Sequence, residues 1–215
     1  MARILPNGLT TGVCGDIVFY VLNGKQCSRA RNRGSKMNSP KQKYYQLKLA
    51  TVNKFVSEML DVVKIGWPDK HSHHFQKALG YHLQNAVELF NPGYGDEGPE
   101  FRINYQKTML AKGRIPSPVI ISINRNKYTI EIQWQTELFS QDYRESDSMV
   151  LVGWKPGLRA KAYLDVGNRK KGNSSVVLPY EFQRSIHLWA FYRNYTYESV
   201  VNEMNLSNSV YLGEF

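Results

Sequence analysis

The chain has 215 residues, 42% of them apolar and 21% charged, a balance that excludes a disordered polar tract and fits a globular protein. No stretch approaches 18 uncharged apolar residues, which excludes a membrane-spanning helix. Net charge is +10, and between Met1 and Tyr45 eight basic residues stand against Asp16 alone, so +7 of it lies in the first fifth of the chain and points to a local contact with anionic groups.

Met1 to Gly8 contain neither the apolar run nor the cleavage site of a secretory leader, so synthesis in the cytoplasm is expected, with Cys14 and Cys27 as free thiols. Spaced glycines (Gly8, Gly12, Gly15) precede Ile17 to Leu22, a β-rich run closed by Asn23-Gly24, a strong signal of a two-residue hairpin turn. That turn places Tyr20 opposite Cys27 and Cys14 beyond the paired region, which disfavours a disulfide. On the second strand Lys25, Cys27, Arg29, Arg31 and Arg33 alternate onto one face, with guanidinium groups about 7 Å apart. Lys36, Lys41 and Lys43 extend the patch. The candidate residues for binding a polyanion or an acidic partner are therefore Lys25, Arg29, Arg31, Arg33, Lys36, Lys41 and Lys43, and the candidate apolar anchors are Phe19, Tyr20 and Leu22. The plainer alternative is an edge strand whose charge blocks unwanted pairing. Residues 1–35 are read as a basic, glycine-containing β-hairpin arm.

Residues 36–116 read as a helical segment with one strand. Ser39 is placed as an N-cap and Pro40 at the first helical position. Tyr45, Leu49, Val52, Val56, Met59 and Val63 then recur at helical spacing, predicting one amphipathic helix over Pro40–Val63. Gly66 is expected to supply a left-handed cap and Pro68 to stop continuation. A second helix is predicted from about Ser72 to Phe90, with Phe75, Leu79, Leu83, Ala86 and Phe90 on one side. A loop follows from Gly93 to Glu100, then a strand over Phe101–Lys107. Ile115-Pro116-Ser117-Pro118 reads as a linker or an edge-strand entry.

Beyond it, β-prone runs recur at roughly ten-residue spacing: Val119–Ile123, Tyr128–Gln135, Ser148–Trp154, Ala160–Val166, Ser174–Leu178, Ser185–Arg193 and Ser207–Leu212. Turn residues separate them, as at Lys155-Pro156-Gly157. Seven such runs predict an immunoglobulin or fibronectin type III style β-sandwich over residues 117–215, and an α+β fold for the whole. Ile186 to Phe191 are apolar at both parities, as a central strand requires.

The chemistry of catalysis is sparse. There is no phosphate-binding loop, no Gly-x-Ser-x-Gly elbow and no Cys-x-x-Cys pair. His71, His73, His74 and His82 form the one metal-like group. No cysteine or carboxylate joins it at helical spacing, so surface histidines are expected rather than a zinc site. His187 reads as a core histidine. Glu131, Glu137, Asp142, Glu145 and Asp147 lack a defined partner for acid/base work. No enzyme activity, cofactor, metal or small-molecule substrate is expected.

Short motifs spread over nearly the whole chain resemble an uncharacterised domain-of-unknown-function family of Bacteroidota proteins. They are Gly15-x-Ile17-Val18-Phe19-Tyr20 with Asn23-Gly24-Lys25 and Arg29-x-Arg31, a helix ending Lys64-Ile65-Gly66-Trp67, Ile103-Asn104-Tyr105, Gly113-x-Ile115-Pro116, and Leu206 to Gly213. The chain departs from that pattern at Asn104, in place of an aspartate, and in the histidine-rich segment. The resemblance implies no reaction or catalytic residue. More loosely, the glycine-containing basic hairpin and proline-started helix resemble small structural proteins of tailed bacteriophages. Together these readings predict a non-enzymatic structural or adaptor subunit of a multi-protein assembly, a virion component if phage-derived. The alternative is nucleic-acid binding by the basic arm, with Tyr44 and Tyr45 stacking on bases.

Overall fold

At the turn after Leu22, Asn23 and Gly24 both take left-handed backbone, with φ of 50° and 76°. This is the conformation that lets a two-residue turn match the twist of its strands. The computed structural model describes residues 2–31, 39–69, 71–93, 98–136, 145–182, 184–194 and 205–215. They divide into two compact units, Met1–Lys43 and Tyr44–Phe215.

In the first unit the hairpin pairs β3 (Ile17–Leu22) with β4 (Lys25–Ala30), and Tyr20 faces Cys27 in the expected register. It is half of a larger sheet. β1 (Arg3–Ile4) and β2 (Thr10–Cys14) precede it, giving an antiparallel meander in the order β1-β2-β3-β4. Gln26 ties the far side of this sheet. Its Oε1 accepts from Thr10 N at 2.6 Å and its Nε2 donates to Thr10 O at 2.9 Å, supplying the partners that the short β2–β3 ladder does not.

The next helix opens on a reciprocal cap. Ser39 Oγ accepts from Gln42 N at 3.2 Å, and Gln42 Oε1 accepts from Ser39 N at 2.8 Å. The predicted single helix is two: α1 (Pro40–Glu58) and α2 (Leu60–Gly66), with Met59 at the bend. The bend leaves Met59, Val62 and Val63 all fully buried. Tyr45 and Leu49, expected on the core stripe, are exposed. Gly66 is no left-handed cap. A side chain there would meet Leu110 O at 2.1 Å, so its glycine serves close backbone approach, and Gly66 O accepts from Lys112 N at 2.9 Å.

α3 (His74–Asn85) is shorter than predicted. Val87 to Phe90 continue its apolar spacing in sequence, yet they belong to β5 (Val87–Asn91), paired with β6 (Glu100–Ile103). β-prone Val87 pairs there with Ile103 and Leu89 with Phe101, while Phe90 falls at a register shift. β6 ends where the Asn104 side chain caps a 3-10 turn, Tyr105–Lys107, so the strand expected to Lys107 is cut short.

The segment Ile115 to Pro118, read as a linker or an edge-strand entry, is tied into the core: Ile115 and Pro118 are buried, Ile115 forms a parallel bridge with Ser207, and its N–H donates to Leu206 O at 2.9 Å. Just before it, Leu110 and Ala111 are buried and Leu110 N donates to Ser209 Oγ at 2.7 Å. All seven later strands are present: β7 (Ile120–Asn126), β8 (Thr129–Trp134), β9 (Ser148–Trp154), β10 (Lys161–Asn168), β11 (Asn173–Val177), β12 (His187–Arg193) and β13 (Val210–Glu214). They form two antiparallel sheets, β10-β9-β12-β13 and β11-β8-β7.

Alternation along β9 and β12 explains the layering. Met149, Leu151, Leu188, Ala190 and Tyr192 share one apolar cluster with Ile130, Ile132 and Trp134 of the three-stranded sheet. Val150, Val152, Trp154, Trp189 and Phe191 point the opposite way, into a cluster with Val52, Phe55 and Val56 of α1, Val62 and Val63 of α2, and Ala78 of α3. The four-stranded sheet is therefore a middle layer buried on both faces, and the helices and the seven strands share one unit. The fold is mixed, with three α-helices and mostly antiparallel strand among the described residues.

Candidate functional site

Cross-strand partners in a sheet share a face, so the register of the first unit sorts its side chains. Arg3, Lys25 and Arg29 project from the same face as Val18, Tyr20 and Leu22. The opposite face carries Ile4, Ile17, Phe19, Val21 and Ala30 together with Thr10, Cys14, Gln26 and Ser28, and no charged side chain from any strand. Phe19 thus points away from Tyr20 and Leu22, which divides the expected anchors between two faces. Cys14 and Cys27 likewise lie on opposite faces, and both are free thiols. None of the unit's described side chains is buried, because a single layer has no interior.

The candidate basic residues are placed unevenly. Lys25 and Arg29 lie on β4, and Arg31 follows it, exposed, with its N–H donated to Asp16 O at 2.6 Å. Arg33 and Lys36 lie outside the described residues. Lys41 and Lys43 are exposed on the first turn of α1. The described residues therefore put Lys25 and Arg29 on one edge strand of the sheet and, on the opposite edge strand, Arg3, a residue the sequence reading counted in the charge but left out of the site.

The second unit holds a cavity of about 640 Å³ that the sequence reading did not find. Thr51, Lys54, Phe55 and Glu58 line it from α1. Glu100 to Ile103 line it from β6, with Tyr105, Trp154, Pro156 and Gly157 completing the wall. Phe55 and Trp154 pack edge to face at 5.3 Å, each 3% exposed, and make a rigid floor. Glu58 is held at one oxygen: Oε2 accepts from Trp154 Nε1 at 3.0 Å and from Gly157 N at 3.3 Å. Burial, with the nearby carboxylates of Glu214 and Glu58, raises the Tyr105 hydroxyl above the usual phenol range, so it stays a hydrogen-bond donor. Its ring lies tilted against His187, with centroids 4.3 Å apart, and His187 Nδ1 lies 2.9 Å from the Tyr211 hydroxyl. Burial lowers the imidazole, against the opposing pull of Glu214.

The remaining polar groups hold the fold. Asp147 and Arg169, both fully buried, are 3.2 Å apart, and Asn194 Nδ2 donates to the other oxygen of Asp147 at 2.8 Å. The Arg169 guanidinium lies 3.8 Å from the centre of the Tyr192 ring and donates to Pro116 O. His74 Nδ1 bonds Trp67 O at 2.6 Å, His82 is buried in the helical cluster, and His71 and His73 are exposed. Among the described residues no three His, Cys, Asp or Glu side chains converge as a metal site, and no helix is long and apolar enough to cross a membrane. No family model, curated protein or solved structure matches the chain.

Proposed function

We propose that the protein is a non-enzymatic structural or adaptor subunit of a multi-protein assembly, a virion component if phage-derived, attached through its N-terminal sheet. The observation that carries this is the sheet's construction: one layer of four strands with no buried side chain and one face free of charge, on which Ile4, Ile17, Phe19 and Val21 lie beside the neutral polar Thr10, Gln26 and Ser28. Sheets gain stability by burying a face, and Ile17, Phe19 and Val21 offer that face to a neighbouring subunit. The outer edge of β4 offers unpaired backbone groups for strand addition.

The sandwich completes the proposal. Its first, second and fifth strands form one sheet and its third, fourth, sixth and seventh the other, with the third and sixth paired. That order supports a fibronectin type III kind of connectivity.

A second reading is favoured by the other face, which Arg3, Lys25 and Arg29 share with Tyr20: nucleic-acid binding by phosphate contact and base stacking. If four to six phosphates are neutralised on a duplex, the logarithmic salt slope is about −4 to −5. Two substitutions in the full chain separate the readings. Under the assembly reading Phe19→Glu releases copurifying subunits and Arg29→Glu does not. The reverse pattern, with nucleic acid lost in Arg29→Glu, overturns it.

A further inference from the structure

We propose that the cavity between α1, β6 and the end of β9 binds a neutral, polyhydroxylated ligand, a mono- or disaccharide. The inference is independent of the N-terminal sheet. The cavity's volume, about 640 Å³, falls within the roughly 300–1,000 Å³ of small-molecule sites. Its charges cancel: Lys54 and Arg102 stand against Glu58 and Glu100, so a cation or an anion meets a like charge as readily as an opposite one. Hydroxyls suit such a wall because each both donates and accepts.

The donors and acceptors are set in place. Glu58 Oε1 has no hydrogen-bond partner among the described residues, while Oε2 is fixed by Trp154 and Gly157. Thr51 donates its hydroxyl hydrogen to Leu47 O at 3.1 Å, which leaves its lone pairs as an acceptor. Tyr105 and Lys54 supply donors. Beneath them Phe55 and Trp154, each 3% exposed, form a packed floor, and the more exposed rings of Tyr105 and Pro156 give the apolar surface that the C–H face of a sugar ring packs on. A floor already locked by packing loses no freedom when a ligand arrives.

The test follows the indole N–H of Trp154, the group that donates to Glu58, in proton–nitrogen correlation spectra of the full chain. The probes are glucose, galactose, mannose, N-acetylglucosamine, lactose and cellobiose, with tetramethylammonium and acetate as charged controls. At least one saccharide is expected to move the signal saturably, and the controls are not. Lys54→Ala, an exposed change, is expected to weaken binding about tenfold through loss of one charged donor. Thr51→Trp, which fills the cavity, is expected to abolish it. Three results overturn the proposal: no saturable shift with any saccharide, a shift unchanged in both variants, or tighter binding of a charged control.

Discussion

His82 sits in the last turn of α3 with its Nδ1 2.7 Å from Ala78 O, so that nitrogen carries the hydrogen, and its buried Nε2 has no partner among the described residues. Burial pushes its pKa down to about 4 from an ordinary 6.5. As pH falls, the unfolded chain therefore takes up the proton first. The stability tied to this group is fully present above pH 6.5 and is lost as pH falls toward 4. The shift amounts to about 3 kcal/mol at most. Urea unfolding at pH 7 and pH 4.5 checks this: His82→Gln is expected to flatten the difference between the two midpoints. Asp147→Ala is expected to cost about 3–5 kcal/mol at neutral pH, because it strands the Arg169 charge in the core. The same unfolding experiment reads that loss. Neither role was legible in the sequence. Asp147 and His82 resemble any other acidic or histidine residue until strands and helices from distant segments close around them.

At the scale of elements, the sequence was most informative where turn residues bracket β-prone runs. Asn23-Gly24 fixed the β3–β4 register, and the seven later runs all form strands because the turns between them are strongly marked. It was least informative where one letter serves two purposes. Gly66 satisfies both a left-handed cap and a close backbone approach, and only the neighbouring Leu110 O decides between them. Gly66→Ala is accordingly expected to destabilise by about 2 kcal/mol or more, measured as a lowered thermal midpoint, whereas a left-handed cap glycine would cost about 1. Val87 to Phe90 fit helical spacing as well as strand propensity, and pairing with β6 settles them. The candidate anchors were grouped although period-2 alternation already sends Phe19 to the face opposite Tyr20 and Leu22. The cavity escaped notice because its wall comes from three short segments of ordinary composition, around residues 51–58, 100–105 and 154–157.

For the whole molecule, the sharing of one middle sheet by two cores is decisive. Residues 117–215 expressed alone would expose Val150, Val152, Trp154, Trp189 and Phe191, which the helices now cover. That fragment is expected to aggregate or to unfold without a cooperative transition, while residues 39–215 melt in a single step. The N-terminal sheet poses the opposite problem, a layer with an uncharged face and no interior of its own, and the assembly proposal rests on what covers that face. Native mass spectrometry of the tagged full chain recovered from its own source, beside Phe19→Glu, tests this most directly. The account predicts a wild-type complex heavier than the 24.8 kDa of one chain and a variant at the mass of one chain. A wild-type protein recovered as a single chain, or the same complex formed by both proteins, contradicts it.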